Sequence, residues 1–291
     1  MSTLPHGITP LPEWGLVRAE GADAAAFLHG QLTQSVTDLP EQQARLAGYC
    51  SAKGRLMANP VLLRESPDHF ALILPRELAT GLAKRLTMFV LRAKAKLRDA
   101  SAETALYGLL GNAVPAEQPV WSLQAGLLRL PDSLGQRRAW VFGSPPEALP
   151  ALPHGAWEWA EVHAGLPWVR QATAEHFVPQ MINWELLDGV NFKKGCYPGQ
   201  EVVARSQYRG TVKRRTQLLT GAQAAPATEI FAGEDREQAV GEVVAGAQWD
   251  GQSAVLAEVQ LSAWESEQPL HLADGRALTR AALPYLIKAP E

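Results

Sequence analysis

Short β-type runs closed by tight turns dominate this chain, and they restrict it to mostly antiparallel sheet. Trp14 to Arg18 has strand character, and Gly21-Ala22-Asp23 opens a helix through Phe27, Leu28 and Leu32 with Asp23 as its expected cap. Arg45 to Ser51 and Arg55 to Arg64 form a hairpin about Lys53-Gly54, and His69 to Leu74 follows the Ser66-Pro67-Asp68 turn. Only Pro75 to Leu91 carries a long helical period, with Leu78, Leu82, Leu86 and Phe89 on one face. Ala95 to Arg98 is another strand, and Trp157 to Gly165 and Met181 to Leu187 are expected helices. Strands that return by hairpins, with helices between them, predict an α+β fold.

Texture changes after Arg215. Gln217 to Leu219, Val240 to Val244 and Ala254 to Val259 are β-type runs separated by Gly, Ala and Asp-Gly turns, which suits a small barrel or sandwich. The expected division is therefore residues 1–212 and a C-terminal β-barrel over 213–291. The length, 291 residues, allows two or three compact units. No apolar stretch approaches the ~18 residues that span a bilayer. The segment Met1 to Gly7 lacks the basic flank and apolar core of a signal peptide, so no membrane association and a cytoplasmic location are expected.

The sharpest chemical feature is Lys193-Lys194-Gly195-Cys196-Tyr197-Pro198-Gly199-Gln200-Glu201. Gly195 and Gly199 permit backbone angles closed to other residues, and Pro198 has the φ favoured at a helix start. Gln200 to Arg205 can continue as a helix, which leaves Cys196 just before its N-terminus. Free N–H groups, the helix dipole and the two lysines all favour a thiolate there. The residues alone leave two readings open, a reactive or ligating thiol and a small buried hydrophobe.

Only two cysteines, Cys50 and Cys196, are present, so neither a disulfide framework nor a CxxC zinc site is expected. No protease-type string surrounds Cys196, and no Walker-type loop or strand-linked GxGxxG supports a nucleotide cofactor. Formal net charge is −3, which argues against the whole surface binding nucleic acid. Between residues 193 and 215, however, seven basic residues face one acid, Glu201. Arg205, Arg209, Lys213, Arg214 and Arg215 are therefore candidate nucleic-acid contacts, against the common alternative of a solvated charged face. Nine tryptophans serve as core, or as flat walls for a heteroaromatic ring.

The string Lys194 to Glu201 resembles the KGCYxGQE signature of YgfZ-type folate-binding proteins, relatives of the glycine-cleavage T-protein. Phe27-Leu28-His29-Gly30-Gln31-Leu32-Thr33, Cys50-Ser51-Ala52-Lys53-Gly54-Arg55 and Phe177-Val178-Pro179-Gln180 extend the resemblance over roughly residues 14 to 215. It implies a ring of domains around a folate site, with tetrahydrofolate or a derivative as cofactor. It further implies a role in maintaining iron–sulfur enzymes, including tRNA-modifying ones, so that iron–sulfur proteins or their assembly machinery are expected partners. Trp14 and Trp157 match the family's folate-contacting tryptophans, and Cys196 with Lys194 would carry the chemistry. Two departures stand out. Gly54-Arg55-Leu56-Met57-Ala58-Asn59 has no carboxylate where aminomethyltransferases carry an acidic pair, so a one-carbon transferase acting on a protein carrier or tRNA is the alternative reading. His163 stands where relatives have a pterin-gripping glutamate, and it is the expected third folate contact.

Overall fold

The computed structural model describes residues 4–210 and 212–287; Met1 to Thr3, part of the segment expected not to be a signal peptide, lie outside them. Two five-stranded antiparallel sheets and a closed barrel make up the fold. The first sheet runs in the order Gln43–Leu46, Val61–Ser66, His69–Pro75, Trp14–Glu20, Lys96–Asp99. Helix α1 (Ala24–His29) follows Trp14–Glu20, and α2 (Arg76–Thr87) packs on this sheet through buried Leu78, Leu82 and Leu86. The second sheet runs Gly7–Pro10, Leu106–Leu110, Gln136–Phe142, Leu127–Ser133, Leu123–Gln124. Helix α3 (Ala156–His163) packs against the barrel strand Gly241–Trp249 and joins the two halves. Helix α4 (Gln200–Tyr208) precedes the barrel.

Six antiparallel strands close the barrel: Arg214–Thr220, Gln252–Gln260, Gly241–Trp249, Glu229–Ala232, Leu270–Leu272 and Ala277–Ala281. Arg214–Thr220 pairs with the strands on both sides, so no edge is left open there. Helix α5 (Leu261–Glu265) follows the second of these strands. The tryptophan richness finds its reason in the core. Trp14 meets Trp140 and Trp168 with ring centroids 4.7 and 5.1 Å apart, and Trp168 meets Trp184 at 5.6 Å.

Several elements differ from the sequence expectation. The strand expected over Arg45 to Ser51 is two, Gln43–Leu46 and Tyr49–Cys50, broken at Gly48, whose backbone approaches Leu56 and Thr33 too closely for a side chain. Its partner is likewise split, because Pro60 cannot donate to the ladder and Asn59 is diverted. The Asn59 amide donates to the Pro167 carbonyl at 2.7 Å and accepts from the Val169 N–H at 2.8 Å. Helix α2 ends at Thr87, with Leu91 in the left-handed region, which leaves Phe89 exposed rather than in the apolar face. Asp23 does not cap α1; its carboxylate accepts from the Lys94 N–H at 2.6 Å. Met181 to Leu187 holds only the end of a 3-10 turn, Pro179–Ile182. Asn183 then turns left-handed and donates to the Thr216 carbonyl.

Candidate functional site

Four separated sequence strings meet around Cys196. Lys194 reaches under the loop, and its ammonium donates to the carbonyl of Leu32 at 2.8 Å and to that of His29. These are carbonyls in and just after α1, which a helix leaves without internal partners. Burial pulls Lys194 down from 10.5 to about 8, while the charge of Cys196 works the other way. The Asn191 side chain accepts from the N–H groups of Lys193 and Lys194, and the Asn191 N–H donates to Thr33. Gly199, at φ +77°, sits so close to Ser51 and Gly54 that a β-carbon would lie 2.4 Å from the Ser51 carbonyl. Only glycine fits there. Phe177 accepts from the Leu56 N–H at 2.8 Å, and Gln180 donates to Val203 of α4 at 2.9 Å.

The loop is thus tied at Lys194, pressed against the Cys50 hairpin at Gly199 and buried at Tyr197, while Cys196 is exposed. Cys50 is the opposite case: it is buried, and burial pushes its thiol up to about 12. His29, a residue with no assigned role from sequence, borders the loop, its Nε2 4.0 Å from where a Gly195 β-carbon would stand. Burial first, then Lys194, hold its imidazole below its ordinary range, so it is neutral at physiological pH.

The second feature is a recess of about 70 Å³ lined by Trp14, Trp157 and Trp168 together with Glu13, Glu158 and Glu161. Arg170, Ala245 and Gly246 line both this recess and an outer cleft of about 430 Å³. Glu161 is held by Arg138 at 2.5 Å and by the Trp168 indole N–H at 2.7 Å. Burial raises Glu13, and the charges of Glu158 and Glu161 add to that while Arg170 opposes it. The Trp157 indole nitrogen is buried without a partner, and its ring packs directly on Gly108.

Trp14 and Trp157 therefore share a wall, but His163 is not among its lining residues. Its ring lies 4.2 Å from Trp159, its Nδ1 is 2.9 Å from the Trp159 carbonyl, and burial lowers its pKa. Residues two apart on a helix point about 200° apart, so the face that carries Trp157 and Glu161, four residues on, cannot carry His163. A separate cavity of about 460 Å³ is lined by Met57, Ala58, Tyr49 and the α2 side chains Lys84, Arg85 and Met88. Glu175 contributes a carboxylate to the same lining.

The basic run is divided in use. Arg215 is buried and pairs with buried Glu185 at 2.5 Å, and Arg214 pairs with Glu258 at 2.7 Å. The first is not available to a nucleic acid. Arg205, Arg209 and Lys213 remain exposed.

No protein-family model matches the chain. Its fold matches the crystal structure of the glycine cleavage system aminomethyltransferase T from Bartonella henselae, with a TM-score of 0.76 over 97% of this chain and 86% of that one at 16% identity. The architecture is therefore aminomethyltransferase-like. The tRNA-modifying protein YgfZ of Sodalis glossinidius (strain morsitans) is 32% identical, over 98% of this chain and 95% of its own length. The protein of the same name from Escherichia coli O6:K15:H31 is 31% identical, over 89% and 82%. The chain belongs to the YgfZ family.

Proposed function

We propose that this protein binds a reduced folate in the tryptophan-walled recess and acts in the cytoplasm as an accessory factor for iron–sulfur enzymes, including tRNA-modifying ones. The relatives' name, tRNA-modifying protein, sets the wider frame. The observation that carries the reading is the construction of the Cys196 loop. Lys194 is fixed to the α1 segment, Gly199 lies against the Cys50 hairpin and Tyr197 is buried, while the Cys196 thiol between them faces solvent. Such a thiol exchanges, ligates or reduces; a structural cysteine would be covered, as Cys50 is.

The recess suits a pterin in chemistry. Its pyrimidine edge presents N–H donors, and Glu13, Glu158 and Glu161 are acceptors on the lining. The unpartnered indole N–H of Trp157 offers a donor, and Arg170 at the lip suits a glutamate tail. The outer cleft falls in the range of small-molecule sites, about 300–1,000 Å³. His163 is left out of this set because it faces away. When bound, a reduced folate supplies a carrier for one-carbon units. Transfer of an aminomethyl group is disfavoured, since Met57 and Ala58 offer no base and Asn59 is fully used in holding Pro167 and Val169. Cys196 alone is too few ligands for a cluster, so a client or assembly protein must bring the others.

Two measurements test the proposal. Calorimetry should show tetrahydrofolate binding that Glu161→Gln weakens; no binding by the intact protein removes the folate reading. In a bacterium lacking its own YgfZ, Cys196→Ser should fail to restore iron–sulfur enzyme activity. Full restoration would mean that the thiol is incidental.

A further inference from the structure

Tyr208, at the end of α4, is 69% exposed in a protein whose large aromatic residues are mostly buried. Its ring is not loose. It stands edge-on against Phe192 with centroids 5.7 Å apart, and Phe192 packs partly into the main core at the start of the Cys196 loop. The phenol ring is therefore braced from beneath, and nothing in the fold explains its remaining exposure. Arg205 and Arg209 flank it in sequence, Lys193 follows Phe192 and Lys213 lies five residues on; all four are exposed, against a single acid of the same stretch, Glu201. Glu201 reaches only Arg205, at 3.2 Å with both side chains largely in solvent, so the pair is weak and easily exchanged for a phosphate.

We propose that this surface is a platform for single-stranded RNA. One unpaired base stacks on Tyr208, and the flanking phosphates lie on Arg209, Lys213 and Lys193. A braced aromatic ring among cations is the arrangement by which proteins hold unpaired nucleotides, because every base offers a face to stack. A duplex keeps those faces covered, so the platform selects loops and ends over helical stems. Phe192 links the platform to the loop of Cys196, so a strand bound there runs beside the exposed thiol. The proposal deepens the tRNA-related reading above by naming the RNA element and the residues that hold it. It does not require folate.

The test uses the full-length protein, a fluorescein-labelled single-stranded RNA oligonucleotide and a duplex of the same sequence, followed by anisotropy. Tyr208→Ala should weaken the single strand by about tenfold, the worth of one base–aromatic stack, and leave the weaker duplex binding unchanged. Tyr208→Phe should restore it. Arg209→Ala and Lys213→Ala should weaken both RNAs and each lower the slope of log K against log salt by about one. Single-stranded RNA should also protect Cys196 from alkylation. Equal loss on both RNAs for Tyr208→Ala, or no loss on either, overturns the platform. Its failure is separable from that of the proposed function: complementation by Cys196→Ser reads the thiol, and folate calorimetry reads the recess, with no RNA in either.

Discussion

Alkylation of the folded protein should modify Cys196 and spare Cys50, and Lys194 should set the rate of the first reaction. Cys50 is 1% exposed with its thiol pushed up to about 12, so at neutral pH it is thiolate to on the order of one part in 10⁵. Cys196 is exposed where Cys50 is buried, so access separates the two reactions further. Lys194 and the Cys196 charge attract each other, and the pair is partly solvated. A screened pair of this kind contributes about 0.5–1 kcal/mol, so Lys194→Met should slow modification of Cys196 by about two- to fivefold. The substitution also leaves the His29 and Leu32 carbonyls without their donor, at about 1–3 kcal/mol of stability. Salt separates the two effects. Added sodium chloride should slow the native protein towards the variant and leave the variant unchanged, which a loosened loop would not do. The assay is pseudo-first-order maleimide labelling with peptide mapping, well below the unfolding temperature. Equal native rates for the two thiols, or a salt-independent rate that Lys194→Met does not alter, would refute the reasoning.

Tetrahydrofolate should quench tryptophan fluorescence through Trp14 and Trp157, and Glu161→Gln should cost about 1–3 kcal/mol of binding if its carboxylate meets the pterin; quenching unchanged in that variant would sink the assignment of Glu161. The purified protein should release neither ammonia nor methylene-folate from an aminomethylated carrier, since Gly54 to Asn59 has no carboxylate where the family resemblance would put the acids; turnover at the rates of a true T-protein would disprove this. Burial raises Glu258 from 4.5 to about 7 despite Arg214, and Glu242 adds to the rise. Because the folded state holds this proton after the unfolded state has lost it, stability should fall as pH rises from about 4.5 to about 7, by up to about 3 kcal/mol. Glu258→Gln should flatten that part of the curve, and parallel melting curves for variant and native protein would count against it.

Local chemistry made much of this readable in advance. Runs of β-type residues between Gly and Asp-Gly turns marked barrel strands, and their antiparallel pairing followed from short connections. Pro198 and Gly199 mark the start of α4, the first because its φ is fixed and the second because it admits the positive φ of the turn. What the sequence hid was partnership at a distance. Arg215 looks like its neighbour Lys213, yet it is buried because Glu185, thirty residues earlier, accepts from it. Asn59 reads as a lost catalytic acid and is in fact a splice that holds residues 167 and 169. Tyr208 has ordinary helical spacing, and only the approach of Phe192 from another segment shows that it is propped outward.

The signature string itself divides by role once its surroundings are known. Lys194 closes the end of α1, Tyr197 is buried, and Gly199 admits the Cys50 hairpin to contact distance. These three would be demanded by the fold even in a protein with no chemistry at this loop. A match to them therefore reports architecture. Among the described residues Cys196 has no hydrogen-bond partner; it fills no core position and occupies no strained backbone angle. Serine would serve the fold as well there. Reactivity is the role we propose for it, and replacing Cys196 should leave stability within about 0.5 kcal/mol while removing the proposed function.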